Sequence, residues 1–119
     1  MTLRVWYNPR CSKCRSLKEL LERRGFVAEY RHYLEQPPTR PELEDLLQRL
    51  GLDDPSPLVR RKEAAFAELE LAQAGREELL EALVRRPELL ERPILERGRR
   101  AVIARPPEAA LPLLEGDRG

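Results

Sequence analysis

Histidine is almost absent from this chain. His32 is the only one, and with two cysteines beside it the sequence is short of the four ligands that a structural zinc site takes. Methionine and tryptophan occur once each. No apolar run approaches the length of a membrane span or the core of a signal peptide, so no membrane association is expected. Neither sign of charge dominates: 22 Lys and Arg against 21 Asp and Glu leave a net charge of +1. That removes any bulk attraction toward nucleic acid or an anionic membrane. With only two cysteines, a disulfide-stapled secreted scaffold is also excluded, and the cytoplasm is the expected compartment.

What is present suits one globular unit. The 119 residues are 41% hydrophobic and 36% charged, enough for a single core under a heavily charged surface. The positive charge is mostly arginine and side-chain amides are few. This is the composition of a thermophile, which arginine-rich coding would also produce.

The chain is organised around Tyr7-Asn8-Pro9-Arg10-Cys11-Ser12-Lys13-Cys14-Arg15. Before it, Thr2 to Tyr7 alternates and reads as a strand. After it, Leu17, Leu20 and Leu21 recur at helical spacing from Ser16 to Arg24, and Gly25 stops the segment. The Cys-x-x-Cys thus falls in a strand-to-helix turn. Cys11 stands near the helix start, where unpaired N–H groups, the helix dipole and the nearby Arg10 and Arg15 favour a thiolate. Cys14 shares the inward face of Leu17 and Leu21, which makes it a sheltered resolving thiol and the pair a candidate redox disulfide. Two inert structural thiols would show the same spacing; the strand–turn–helix context favours the reactive pair.

Val27 to Leu34 reads as a second strand, completing a βαβ unit with parallel strands. Thr39 to Glu42 has the form of a capping box with Pro41 in the first turn, opening a helix through Leu50 that Gly51 ends. Ser56 and Pro57 open a helix expected over Leu58 to about Leu71 with Phe66 and Leu69 inward; another is expected over Glu77 to Arg86. Pro93 to Glu96 and Ala101 to Ala104 form a hairpin about Gly98. Pro106-Pro107 opens a last helix through Leu114, which Pro112 should kink or truncate, and Gly116 to Gly119 is a polar tail expected to fray. The expected fold is α/β: a thioredoxin-like single domain over 1–119, with a four-stranded mixed sheet (βαβ … ββα) and a helical insert at approximately 39–90. His32 is expected as a half-buried or surface strand residue, not as a ligand or base.

Several ordered pieces resemble the arsenate reductase (ArsC) family, which also contains the Spx transcriptional regulators. They are Tyr7-Asn8-Pro9-Arg10-Cys11, Tyr33-Leu34-Glu35 with Pro37-Pro38-x-Arg40, Leu58-Val59-Arg60-Arg61-Lys62, Arg92-Pro93-Ile94 and Arg105-Pro106-x-Glu108. The resemblance implies a thioredoxin fold, a nucleophile at Cys11, and oxyanion-binding arginines at Arg60, Arg92 and Arg105. It also implies a cis bond before Pro93. It further implies no bound cofactor, an arsenate-like oxyanion substrate, and glutathione or a glutaredoxin or thioredoxin system as reductant. The chain departs from the well-studied reductases at Tyr7, where they carry His, and at Cys14, where they carry a small polar residue. Cys14 is similar to the Spx pattern, so the alternative reading is a redox-switched regulator binding RNA polymerase. Leu58 to Lys62 is nearer the reductase version.

Overall fold

The structure, a computed structural model, describes residues 2–115. The chain divides into two compact units, one made of the residues up to Tyr33 and from Arg92 onward, the other of Leu34–Glu91.

The first unit holds a four-stranded sheet in the order β2-β1-β3-β4, with β1 (Leu3–Tyr7), β2 (Ala28–His32), β3 (Ile94–Arg97) and β4 (Arg100–Ile103). β1 pairs parallel with β2 and antiparallel with β3, and β3 with β4 antiparallel. The mixed sheet of a thioredoxin-like βαβ … ββα chain is therefore present. Alternation along β1 decides its two faces. Leu3, Val5 and Tyr7 enter a core with Cys14, Leu17 and Leu21 of α1 (Ser12–Arg23), Leu95, Ala104, Ala110, Leu113 and Leu114. On the other face Trp6 is buried and its indole N–H donates to the buried Glu96 carboxylate at 2.7 Å, with Arg4 3.4 Å from the same oxygen. A carboxylate taken out of water requires such partners.

The cysteine-bearing helix starts earlier than the leucine spacing indicates, at Ser12 rather than Ser16. The leucine stripe covers only the later turns; the start is marked by the turn at Cys11, near which the helix is expected to begin. The helix ends at a glycine as expected: Gly25 has φ +77°, and the N–H of Phe26 reaches back to the Leu21 carbonyl at 2.9 Å. β2 is shorter than the expected Val27 to Leu34; Val27 is 88% exposed and Leu34 also faces solvent. The last helical segment is a 3₁₀ turn at Pro107–Ala110 followed by α5 (Leu111–Glu115). Pro112 thus lies in the first turn of α5, where its missing N–H is harmless. The tail from Gly116 lies outside the described residues.

In the second unit α2 (Arg40–Leu50) opens on the expected capping box: the Glu42 N–H donates to Thr39 Oγ1 at 3.3 Å, and Glu42 Oε1 accepts from the Thr39 N–H at 2.9 Å. The helix expected over Leu58 to Leu71 is not continuous. A 3₁₀ turn at Ser56–Leu58 gives way to extended backbone, and only α3 (Ala64–Glu68) is α-helical, with Ala65 buried and Phe66 and Leu69 half-buried. The competing interaction is a β-bridge between Val59 and Leu90, with the Arg60 N–H on the Leu89 carbonyl at 2.8 Å. Such a pairing over long separation is invisible to a local pattern. α4 (Arg76–Arg85) follows.

The stop behind α1 gives a stability prediction. Open space surrounds the Cβ that a substitution at Gly25 would add, so the cost of Gly25→Ala is backbone strain alone, about 1 kcal/mol. Urea unfolding should show that loss, and Gly25→Asn should lose less because Asn tolerates the left-handed region.

Candidate active site

The loop after β1 is shaped by Asn8. Its Oδ1 accepts the Arg10 N–H and its carbonyl accepts the Cys11 N–H, both at 3.0 Å, so the chain turns sharply as the strand ends. Cys11 becomes the N-cap of α1 with extended backbone angles (φ −91°, ψ 122°). An N-cap side chain faces amides that have no carbonyl partner within the helix. Here the side chain is a sulfur, half-buried, and the donors act on it.

Burial opposes ionisation of Cys11 most strongly. Against it stand the Cys14 N–H, the Arg105 guanidinium, the Lys13 N–H and the Cys14 thiol, which together bring Cys11 from 9.0 down to about 7. Arg105 Nη1 lies 3.7 Å from Cys11 Sγ and also donates to the Arg92 carbonyl at 3.0 Å, which fixes the guanidinium over the sulfur. Cys14 is fully buried, and its thiol is pushed up to about 12. Desolvation is the main cause, reinforced by the charge on Cys11 and offset in part by the Asn8 amide and Arg92. One sulfur is thus prepared as a thiolate and its neighbour is kept as a thiol, three residues apart.

Of the residues picked out by sequence, Cys11, Cys14, Arg92 and Arg105 come together in the first unit. The hairpin β3–β4 brings the arginines there: each precedes a cis proline, at Arg92–Pro93 and Arg105–Pro106, and the Ala104 N–H donates to the Pro93 carbonyl at 2.9 Å. Arg60 belongs to the other unit, where Nη1 donates to Glu91 Oε1 at 2.7 Å while Nε is buried with no acceptor among the described residues. The lowering expected for Cys11 is present, but the cation named for it is Arg105, while Arg15 gives its guanidinium to the Pro9 carbonyl at 2.9 Å.

The sequence reading left Asn8 and Tyr33 without a role, yet both border the sulfurs. For Asn8 the Asn-Pro turn signal was available. Nothing local marks Tyr33 as a site residue. His32 is half-buried, its ring 5.5 Å from that of Tyr7, which also meets Tyr30 edge-on at 5.2 Å. Among the described residues no group of His, Cys, Asp and Glu could hold a metal ion, and no helix is long and apolar enough to cross a membrane.

The model of the ArsC family matches residues 6–112. The "Uncharacterized protein YfgD" of Escherichia coli (strain K12) is 40% identical over 114 residues, covering 94% of this chain and 96% of that protein. An arsenate reductase of Neisseria meningitidis (serogroup A) is 40% identical over 108 residues, covering 89% and 92%. Among solved structures, the arsenate reductase from Vibrio cholerae superposes with a TM-score of 0.88 at 38% identity, covering 93% of this chain and 96% of that one.

The donors on Cys11 predict its reactivity. Alkylation should rise with pH and be half-maximal near 7, and Cys14 should stay unmodified in the folded protein. Arg105→Gln should move the midpoint up by about one unit, since a charged donor is lost. A wild-type midpoint at 9.0 would contradict the arrangement.

Proposed function

This chain belongs to the ArsC family and is an arsenate-reductase-like thiol oxidoreductase, and on that premise we propose that Cys11 is its nucleophile and Cys14 its resolving thiol. The observation that carries the proposal is the opposed ionisation of the two sulfurs at one helix start. The Cys11 thiolate attacks the pentavalent arsenic of arsenate or the central atom of a related oxidised species, and an oxygen leaves as water. Cys14 then attacks Cys11 Sγ; the S–S bond forms and the S–As bond breaks. The electron pair goes to arsenic, which departs trivalent. One substrate is reduced by two electrons and one disulfide is made.

Arg92, Arg105 and Arg60 are the proposed oxyanion donors. Arg105 lies on Cys11 Sγ, and the charge of Arg92 reaches Cys14. Arg60 enters through the Leu58 to Lys62 motif alone. Arginine suits the task because its planar fork meets two oxygens of a tetrahedral dianion at once.

The disulfide has to be reopened from outside. Cys14 is fully buried and Cys11 is not, so an incoming thiolate attacks Cys11. Glutathione, or a glutaredoxin or thioredoxin, is the proposed reductant, and glutathione can also replace Cys14 in resolving the adduct.

The test is arsenate-dependent oxidation of a coupled thiol system by purified protein. Turnover is expected in wild type and none with Cys11→Ser. Arg92→Lys keeps the charge but loses the fork, and should cost roughly 10²–10³ in rate. With Cys14→Ser, turnover should depend wholly on added glutathione. A wild type that leaves arsenate unreduced under every thiol system would overturn arsenate as the substrate.

A further inference from the structure

Tyr33 follows directly on the last residue of β2 and is fully buried. A buried tyrosine normally finds a partner for its hydroxyl, because a polar group kept from water without one is unfavourable. The Tyr33 hydroxyl has no well-formed hydrogen bond among the described residues. The Asn8 side chain approaches its oxygen without completing one, and the charged or ionisable groups bearing on it are Arg92, Cys14 and Cys11, all in the same unit. Burial pushes its own ionisation well up, so at neutral pH the oxygen keeps its proton and can act as a donor.

Of the ionisable groups that bear on it, the two sulfurs are the ones that can accept from it. In the reduced resting state the Cys14 thiol gives its proton toward Cys11, and a neutral thiol sulfur is a weak acceptor. Ionised, the same sulfur becomes a strong one. We propose that the Tyr33 hydroxyl is held for the Cys14 thiolate, as a positioning residue that stabilises the resolving sulfur while it attacks or leaves. This rests on the redox-pair reading above. On the oxidising limb the Cys14 thiol loses its proton to solvent. Its thiolate then attacks Cys11 Sγ, and the group on Cys11 departs with the bonding electrons. On the reducing limb an external dithiol supplies the attacking thiolate. A mixed disulfide forms on Cys11, the Cys11–Cys14 bond breaks, and its electron pair resides on Cys14 before a proton returns. Either way Cys14 is negative inside a buried site, facing Cys11, Arg92, the Asn8 amide and Tyr33.

The experiment uses a symmetrical nitrothiobenzoate disulfide. Cys11 attacks it and releases one coloured thiolate; attack by Cys14 on the mixed disulfide releases the second. In Tyr33→Phe the second release should slow about tenfold or more, with its pH profile moved up by about one unit, while the first is unchanged. Because the hydroxyl makes no well-formed hydrogen bond among the described residues, thermal stability should be the same or higher. Equal second-release rates and profiles in the two proteins would overturn the proposal. Failure of wild type to give any second release overturns the redox pair itself, which is a separate result. One measurement needs no substitution: in wild type alkylated at Cys11, the carbon-13 shift of the Tyr33 ring carbon bearing the hydroxyl should change as Cys14 ionises. A shift that stays constant through that titration would also overturn the proposal.

Discussion

The pull of the first-turn amides of α1 and of the Arg105 guanidinium on the Cys11 sulfur is the interaction on which the rest depends. Burial alone would keep Cys11 protonated; the amides of Lys13 and Cys14 and the guanidinium of Arg105 reverse that. The same turn places Cys14 on the buried face, where the Asn8 amide and Arg92 offset desolvation only in part and desolvation wins. A single backbone geometry, an N-cap cysteine with a second cysteine one turn on, therefore yields a reactive and a dormant thiol. The disposition requires the helix to begin at Ser12, which the Asn8 turn enforces by capturing the N–H groups of Arg10 and Cys11.

The sheet serves this arrangement by holding β1 from both sides. β1 is an interior strand, so the loop at its end is tied to β2 and β3 through backbone bonds in the registers Tyr7↔His32 and Trp6↔Ile94. The β3–β4 hairpin brings Arg92 and Arg105 to that same end, and the Arg105 guanidinium bonds the Arg92 carbonyl. Even the buried carboxylate of Glu96 takes part, locking Trp6 and Arg4 to β3 across one face. Chemistry built on rigid strands and a helix start keeps its donors in place without reorganisation.

How far the sequence discloses this depends on how local each signal is. The strand, the Cys-x-x-Cys turn, the capping box at Thr39 and the glycine stop at Gly25 are all written within a few residues and are readable there. Cys14 could be assigned inward because it shares helical spacing with Leu17 and Leu21. By contrast, the bridge between Val59 and Leu90 that breaks the expected helix after Leu58 is a pairing over long separation, which no window detects. Likewise, Arg105 acts on Cys11 from a distant part of the chain while Arg15, a near neighbour in sequence, does not. Tyr33 is legible as a strand position and as part of a family-like motif, but not as a neighbour of the sulfurs, since a buried hydroxyl without a well-formed bond among the described residues is a property of the packed interior.

The fold separates the ionisation of the two thiols, and ultraviolet absorbance of thiolate measures that separation without any substrate. Titrated from about pH 5 to about pH 9, wild type should form one thiolate with a midpoint near 7. Cys14→Ser should retain that step, and Cys11→Ser should abolish it. Absence of any thiolate until pH 9, or a step that survives in Cys11→Ser, would contradict the account.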